Sequence, residues 1–259
     1  MTVVLTDMPP AQEQAWLLLL RLADTKPPWV LIGGQLVHLL AIEHGAVLPR
    51  ATLDADILVD VRATPGSIGA VCAWLEDNGL TLKGYSADGI GHRFSKHADP
   101  GPGRVSFDVL APEGIGERAD VITTPPFRTV NVPGSQSLID NADTIDVQVV
   151  SADSGAATSG RVHRPGVLAA LVGKAAATAI AGRANRERDW EDAALLLTIL
   201  PDPVTARTTL RPGEKRRLAR ISGLMSPDHA AWSVLPVEAR RRGQAAAQLL
   251  LVTTPFLAR

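Results

Sequence analysis

The fold of the first half of the chain is decided by the stretch Trp29-Val-Leu-Ile-Gly33-Gly34-Gln-Leu-Val-His-Leu-Leu40 and, shortly after it, Pro49-Arg50-Ala-Thr52-Leu-Asp54-Ala-Asp56-Ile-Leu-Val59. The pattern predicts a strand, a Gly-Gly turn, a helix, a short loop and a second strand. Successive side chains on a strand point to opposite faces, so Asp54 and Asp56 share one face. The residues between and after them, Ala55, Ile57 and Val59, then point toward a core.

The paired carboxylates are the strongest chemical signal in the sequence. Asp is depleted in strands, so two on one face of an otherwise apolar strand require a reason. Hard cations such as Mg²⁺ take oxygen ligands, often one or two carboxylates together with substrate phosphates. We therefore expect Asp54 and Asp56 to hold Mg²⁺ or Mn²⁺. The alternative is an edge strand whose polar face is solvated.

Two further features extend this expected site. Asp108 lies inside another strand pattern, Arg104-Val-Ser-Phe-Asp108-Val-Leu, and a neighbouring strand would bring it beside Asp56 as a third carboxylate. A strand-end or turn position is the alternative for Asp108. The Gly33-Gly34 pair would let backbone N–H groups approach phosphates at the N-terminus of the following helix.

The second half of the chain contributes a lysine and a charged helix. Lys174 lies in the nearly all-apolar segment Leu168-Ala-Ala-Leu-Val-Gly-Lys174-Ala-Ala-Ala-Thr. It either extends to solvent, as long charged side chains do, or reaches triphosphate oxygens. Asp189 and Asp192 share a helical face three residues apart. They either line a cleft or belong to a surface ladder of ion pairs with the neighbouring arginines.

Composition excludes several classes of protein. The chain has 259 residues, 46% of them apolar and 20% charged, which is ordinary for a globular protein. It has no apolar run of 18 residues, so no membrane association is expected, and no signal-peptide pattern is recognised. The single cysteine, Cys72, excludes an internal disulfide and fits a reducing compartment, so a cytoplasmic location is expected.

Charge divides the chain into two parts. Residues 1–160 hold 10 Lys or Arg and 19 Asp or Glu, whereas residues 161–259 hold 16 and 8. Such asymmetry is typical of an acidic site beside a basic platform for a polyanion, or of two domains that attract each other. The small, polar segment Ser151 to Gly160 predicts a linker or exposed loop. We expect a first domain over 1–155 and a helical domain over 156–259.

Helices alternate with short strands over residues 1–155, which predicts an α/β or α+β domain with a mixed sheet flanked by helices. The segments after residue 160 predict only helices. The predicted helices are Ala11 to Asp24, Gln35 to His44, Ser67 to Asn78, Gly134 to Asn141, Val167 to Ile180, Arg186 to Leu200, Glu214 to Ile221 and Val237 to Leu250.

The order of these motifs resembles the polymerase-beta-type nucleotidyltransferases. It is most similar to the AbiEii/AbiGii abortive-infection toxin family, on the strength of Gly33-Gly34, Arg50-x-Thr52-x-Asp54-x-Asp56, the Asp108 strand, Lys174, and Arg186-x-x-Asp189-x-x-Asp192. The resemblance covers residues 28–60 and 164–195 well, and between them only the Asp108 strand. Many members of the superfamily have Gly-Ser where this chain has Gly-Gly, and Thr52 is placed to supply a hydroxyl nearby.

The resemblance implies a nucleotidyltransferase core that moves NMP from an NTP to an acceptor. Asp54, Asp56 and Asp108 would be the metal ligands, Lys174 would contact the triphosphate, and Asp189 would complete the cleft. Gly33, Gly34, Arg50 and Thr52 would contact the nucleotide. The family further implies a toxin paired with an antitoxin protein, and tRNA or another RNA as acceptor.

Two other functions fit the same residues. A small-molecule nucleotidyltransferase of the antibiotic-modifying kind shares the Gly-Gly and Asp-x-Asp features. A catalytically degenerate nucleotide-binding or partner-binding protein is the third reading. A basic helical half favours an RNA acceptor, and candidate contacts on it are Arg183, Arg186, Lys215, Arg216, Arg217, Arg240, Arg241 and Arg242.

Overall fold

The computed structural model describes residues 1–25, 28–48, 50–116, 119–180 and 186–252, which form a mixed α/β structure. The strands are β1 (Thr2–Leu5), β2 (Trp29–Ile32), β3 (Asp54–Val59), β4 (Thr81–Lys83), β5 (Arg93–His97), β6 (Arg104–Pro112), β7 (Asn131–Val132), β8 (Ala142–Val150) and β9 (Ala157–Pro165). The α-helices are α1 (Pro10–Ala23), α2 (Gly33–Glu43), α3 (Ser67–Asp77), α4 (Ser135–Asp140), α5 (Val167–Ala177), α6 (Arg186–Ile199), α7 (Pro203–Thr209), α8 (Pro212–Leu218) and α9 (Val237–Leu251).

The larger sheet carries the paired carboxylates near its centre. Its strand order is β2-β3-β6-β5-β4, and β7 pairs with the end of β6. β3 and β6 run parallel, whereas the β2–β3, β5–β6 and β4–β5 pairs are antiparallel. The parallel pair sets Asp56 opposite Asp108. The expectation that a neighbouring strand brings Asp108 beside Asp56 is therefore confirmed.

One face of this sheet packs into the main core. Ala55, Ile57 and Val59 are completely buried there, together with side chains from α1 and α3, so their predicted inward orientation is confirmed. The other face carries a smaller apolar cluster, in which Leu58 and Leu110 pack near Leu138 of α4. The carboxylates lie on this second face as well.

The smaller sheet corrects the predicted linker. Its order is β1-β8-β9, with β1 parallel to β8 and β9 paired antiparallel along the whole of β8. Only residues 151–156 form the connecting turn, whereas 157–160 belong to β9. This part of β9 is polar because it is exposed, which made it look like a loop. Strand pairing crosses the predicted boundary at 155/156, and the all-helical region begins at Val167.

Most predicted helices are confirmed with ends shifted by a few residues. The exceptions are α2, which begins at Gly33 and so includes both glycines, and α7, which was not predicted. α7 is short, but Pro203 occupies its first turn and the Asp202 carboxylate accepts hydrogen bonds from two backbone N–H groups at its start. Within the described ranges, no helix combines the length and the apolar character needed to cross a membrane.

Candidate functional site

Three carboxylates lie together on one face of the larger sheet. Asp54 and Asp56 are two residues apart on β3, and Asp108 on β6 is the register partner of Asp56. Neighbouring strands lie about 4.8 Å apart, so the backbones of Asp56 and Asp108 are direct neighbours. Asp108 is buried, whereas the Asp54 side chain is 48% exposed. The row of carboxylates therefore runs from a buried end to an end that solvent reaches.

Arg93 of β5 is a fourth charged residue in this row, and it was not among the predicted site residues. Its Nε donates to Asp108 Oδ1 at 2.8 Å and its Nη2 donates to Asp108 Oδ2 at 2.7 Å. The same Nη2 lies 3.8 Å from Asp54 Oδ2. The Arg93 guanidinium thus contacts both Asp108 and Asp54. Its two hydrogen bonds to Asp108 form a bidentate pair, which fixes the orientation of both side chains.

This contact gives Arg93 an electrostatic role. The hydrogen bond to Asp108 raises the pKa of Arg93 despite the opposing effect of burial, and the charges of Asp108, Asp54 and Asp56 add to the rise. The side chain is a permanent cation. It offsets part of the electrostatic repulsion among the three neighbouring carboxylates.

The two glycines allow α2 to begin against the carboxylate row. A Cβ on Gly33 would lie 1.7 Å from Asp56 Oδ2, and a Cβ on Gly34 would lie 2.5 Å from Thr52 Oγ1. Gly33 also has a φ of 70°, which side-chain-bearing residues rarely adopt. The pair was predicted as a turn before the helix, but both glycines form its first residues. The positive end of the α2 dipole therefore lies beside Asp56.

A second charged cluster, between α5 and α6, faces the first. Lys174 Nζ lies 2.7 Å from Asp192 Oδ2 and 3.3 Å from Asp189 Oδ1. Arg50, from the segment before β3, donates from Nη2 to Asp192 Oδ1 at 2.7 Å. Asp189 and Asp192 are 2% and 4% exposed. The reading of these two carboxylates as part of a surface ladder is therefore wrong, and their predicted shared face is confirmed.

Lys174 itself is buried rather than extended to solvent, so the alternative reading of it is also wrong. Burial alone lowers the pKa of Lys174, but the nearby carboxylates of Asp192 and Asp189 outweigh it, and the pKa is raised above 10.5. The charge of Asp56 contributes to the same rise. The ammonium group is therefore charged at neutral pH. Its attraction to Asp56 is an electrostatic interaction between the helical cluster and the carboxylate row.

A cleft of about 310 Å³ lies between the two clusters. Its charged lining comes from Asp56, Arg93, Asp108, Lys174 and Asp189. This volume is at the lower end of the range of small-molecule sites, which runs from about 300 to 1,000 Å³. Of the predicted site residues, Gly33, Asp56, Asp108, Lys174 and Asp189 thus surround a space large enough for a small ligand.

Four predicted residues do not line this space. Among the described residues, the lining of the cleft includes Gly33 but not Asp54, Gly34, Arg50 or Thr52, and Asp54 adjoins it through its contact with Arg93. Thr52 instead accepts a hydrogen bond at its backbone oxygen from Gln35 Nε2 at 2.8 Å, and Arg50 pairs with α6. These contacts fix the segment before β3 against α2 and α6. Nucleotide contacts by Gly34, Arg50 and Thr52 remain a prediction.

The cleft also contains residues that sequence reasoning did not select. His92 and Asn131 contribute polar atoms, and Leu110, Val130 and Leu138 form part of an apolar wall. The buried Nδ1 of His92 has no hydrogen-bond partner within the described chain. The sequence shows that His92 and Arg93 are adjacent. It does not show that β5 pairs with β6, which is what sets Arg93 opposite Asp108.

The donor atoms suit a divalent cation held by two carboxylates better than one held by three. Asp54 and Asp56 present oxygens on one face, and Mg²⁺ is commonly bound by one or two carboxylates plus phosphates. Both oxygens of Asp108, in contrast, accept hydrogen bonds from Arg93. In the described part of the chain, no group of three or more His, Cys, Asp or Glu side chains is arranged to hold a metal ion. A metal role for Asp108 remains a prediction.

Comparisons with known proteins give no independent identification, because no family model, curated protein or solved structure matches the chain.

The contact between Gly33 and Asp56 leads to a testable prediction. We expect Gly33→Ala to lower the free energy of unfolding by about 1 kcal/mol more than Gly45→Ala, as measured by urea unfolding. Gly45 is a matched control because its φ is also positive, 64°, but a Cβ there would meet nothing within 4 Å. Equal losses in the two variants would show that Asp56 yields to the new methyl group without cost.

Proposed function

We propose that this protein is a metal-dependent nucleotidyltransferase that moves NMP from an NTP to a hydroxyl group of an acceptor and releases pyrophosphate. The observation that carries the proposal is the row of Asp54, Asp56 and Asp108 beside the glycine-initiated start of α2. A helix N-terminus favours anions, and carboxylates on a strand favour a divalent cation. An NTP bound with its metal ion satisfies both preferences, because its phosphates are anionic and its metal ion is a divalent cation.

The residues of the cleft and the adjoining Asp54 would have separate roles in such a reaction. Asp54 and Asp56 would hold Mg²⁺ or Mn²⁺, which when bound neutralises charge on the transferring phosphoryl group. Lys174 would place a fixed positive charge on the opposite wall, where triphosphate oxygens gain from a cation. Arg93 holds Asp108 in one orientation through two hydrogen bonds. The apolar wall near Leu138 gives a nucleobase a surface that excludes water.

The acceptor we propose is an RNA, with tRNA as the first candidate, and the biological role is that of a toxin neutralised by an antitoxin. The toxin role rests on the motif resemblance alone. The RNA acceptor has a second support, the formal balance of +8 over residues 161–259. Of the candidate contacts there, Arg217 and Arg241 are paired with Glu113 and Glu238, and Arg183 lies outside the described residues.

The direct test is an acceptor screen. The purified protein is incubated with each α-³²P-labelled NTP and Mg²⁺, over total RNA in one series and over hydroxylated small molecules in another. We expect label in RNA, lost on chelation of the metal ion and lost in Asp54→Asn. Label only in a small molecule would identify the antibiotic-modifying type of enzyme. No label in either series, with intact NTP binding, would identify a nucleotide-binding protein without transferase activity.

A further inference from the structure

A second surface adjoins the carboxylate row, formed by four side chains of β4, β5 and β6 on the same face of the sheet. Cross-strand partners share a face, and the register pairs Lys83 with Arg93 and His97 with Arg104. Because side chains alternate along a strand, Arg93 and His97 share that face. Arg93 also pairs with Asp108, which puts the carboxylate row on it as well. We call Lys83, Arg93, His97 and Arg104 the basic sheet face.

This face is open to solvent. All four of its residues are exposed, and the Arg93 side chain is 46% exposed despite its contact with Asp108. The Arg104 side chain extends from β6 over the neighbouring strand β5. There it donates a hydrogen bond to the Oγ of Ser95 at 3.2 Å. The buried serine beneath is thus covered by the arginine side chain itself. A ligand can reach the cations without displacing any part of the fold.

The charge of this face is largely uncompensated. Within the described residues, neither Lys83 nor Arg104 forms an ion pair with a carboxylate, and Arg93 is the member of the set that does. The helical half differs, because Arg211 and Arg217 are paired with Asp140 and Glu113. Cations without carboxylate partners attract a polyanion more strongly than neutralised ones. The acidic first half of the chain therefore contains a basic surface that its net charge conceals.

An aromatic ring at the end of β4 adds a second feature that suits nucleic acid. Tyr85, two residues beyond Lys83, is 62% exposed. Its ring stacks on Phe127 with centroids 4.5 Å apart, so it is held in place. Exposed aromatic rings beside cationic side chains are typical of surfaces on which single-stranded bases stack. A surface that binds the phosphate groups of peptides or lipids would not need an exposed ring, because those ligands have no bases to stack on it.

The surface leads to the carboxylates. Arg93 is one strand from Asp108 and Lys83 is two, which places the Lys83 backbone roughly 10 Å from that of Asp108. Arg104 precedes Asp108 by four residues on β6, or about 13 Å along the strand. The half-exposed carboxylate of Asp54 lies 3.8 Å from the guanidinium of Arg93, which belongs to the basic sheet face and also lines the cleft. A chain of phosphates lying on the face would end at the carboxylate row.

We propose that the basic sheet face binds the single-stranded end of an RNA acceptor and directs its terminal hydroxyl to Asp54. The proposal rests on the transferase function for its biological meaning, but the binding it describes requires no catalysis. It differs from docking on the helical half, where the excess of positive charge first pointed. Phosphates bind Lys83 and Arg104, and a base stacks on Tyr85.

The test measures binding alone. A fluorescein-labelled single-stranded RNA of mixed sequence is titrated with protein, without NTP or metal ion, and affinity is read from fluorescence anisotropy over a series of salt concentrations. The test variant is Lys83→Glu with Arg104→Glu. The matched control is Lys215→Glu with Arg216→Glu, which reverses two exposed charges on α8 and so tests the competing docking site on the helical half. Thermal unfolding confirms that both variants are folded.

We expect the sheet variant to bind at least about tenfold more weakly and to lose roughly 1.4 from the slope of log affinity against log salt, since each single-strand phosphate contact contributes about 0.7. The control should bind RNA with an affinity within about twofold of that of the original protein.

An equal or larger loss of affinity in the control, or no binding by the original protein at low salt, would overturn the proposal. Undiminished binding by the sheet variant alongside labelled RNA in the acceptor screen would overturn it and leave the transferase function standing. The expected loss of binding without any transfer would support the surface and refute the transferase.

Discussion

Replacing Lys174 with methionine is expected to lower the free energy of unfolding by about 3–5 kcal/mol, the usual cost of removing one partner from a buried ion pair. Lys174 contacts both Asp189 and Asp192, and those two carboxylates are almost fully buried. Arg50 would still compensate Asp192. Asp189 would lose its contact with Lys174, and both buried carboxylates would lose the charge of the ammonium group.

The measurement is urea unfolding followed by circular dichroism. The control is Arg188→Met, an exposed position on α6, which should change the free energy by no more than about 0.5 kcal/mol. Adding Asp189→Asn to Lys174→Met should recover part of the loss, because an amide is cheaper to bury than a carboxylate that has lost its contact with the Lys174 ammonium group. If Lys174→Met is as stable as the control, the cluster contributes nothing to the fold.

The same contacts fix how stability depends on alkaline pH. The folded-state pKa of Lys174 is raised above 10.5, so the folded protein holds this proton more tightly than the unfolded chain does. The resulting stabilisation is complete at neutral pH and is lost only as the pH rises past 10.5 through the raised value. Lys174→Met should abolish this part of the alkaline loss, whereas Arg188→Met should retain it.

Local patterns in the sequence predicted the carboxylate row but could not predict the arginine that binds it. The alternation of side chains along β3 placed Asp54 and Asp56 on one face, and the matching strand pattern around Asp108 suggested a neighbour. Arg93 was different because its role depends on which residue of β6 it faces. That register is set by the pairing of β5 with β6, which brings together Arg93 and Asp108, two residues fifteen positions apart in the sequence.

The helical cluster shows the same limit. A spacing of three residues was enough to predict that Asp189 and Asp192 share a helical face. Their burial was not predicted, because it requires two cations from elsewhere. Lys174 comes from the preceding helix, and Arg50 reaches Asp192 across 142 residues of sequence. Acidic residues in a charged stretch look solvated until their distant partners are known.

The smaller sheet was missed for a reason of composition. β1 is four residues long, and the first part of β9 is small, polar and exposed. Neither has the apolar alternation by which half-buried strands are recognised. Their backbone hydrogen bonds to β8 hold them in extended form, so pairing rather than propensity determines these strands.

Asp56→Asn is expected to lower nucleotide transfer by at least about a hundredfold, the scale of loss when one electrostatic contact to a transition state is removed. Asp56 occupies the centre of the carboxylate row, opposite Asp108 and against Gly33. The amide keeps the shape of the side chain, so its contact with the start of α2 survives. Only the charge and one oxygen ligand are lost.

The fold should survive this change, because the relief of repulsion among three neighbouring negative charges offsets the lost attraction of Asp56 to Arg93 and Lys174. Urea unfolding should therefore show no loss of stability, and Mn²⁺ binding followed by electron paramagnetic resonance should weaken. The matched control is Asp60→Asn, just past the end of β3, where Asp60 Oδ1 accepts the backbone N–H of Arg62 and an amide oxygen can do the same. Transfer near the original rate by Asp56→Asn in Mg²⁺, with the control equally active, would remove Asp56 from the chemistry. The row of carboxylates would then be a structural feature stabilised by Arg93 rather than a metal-binding site.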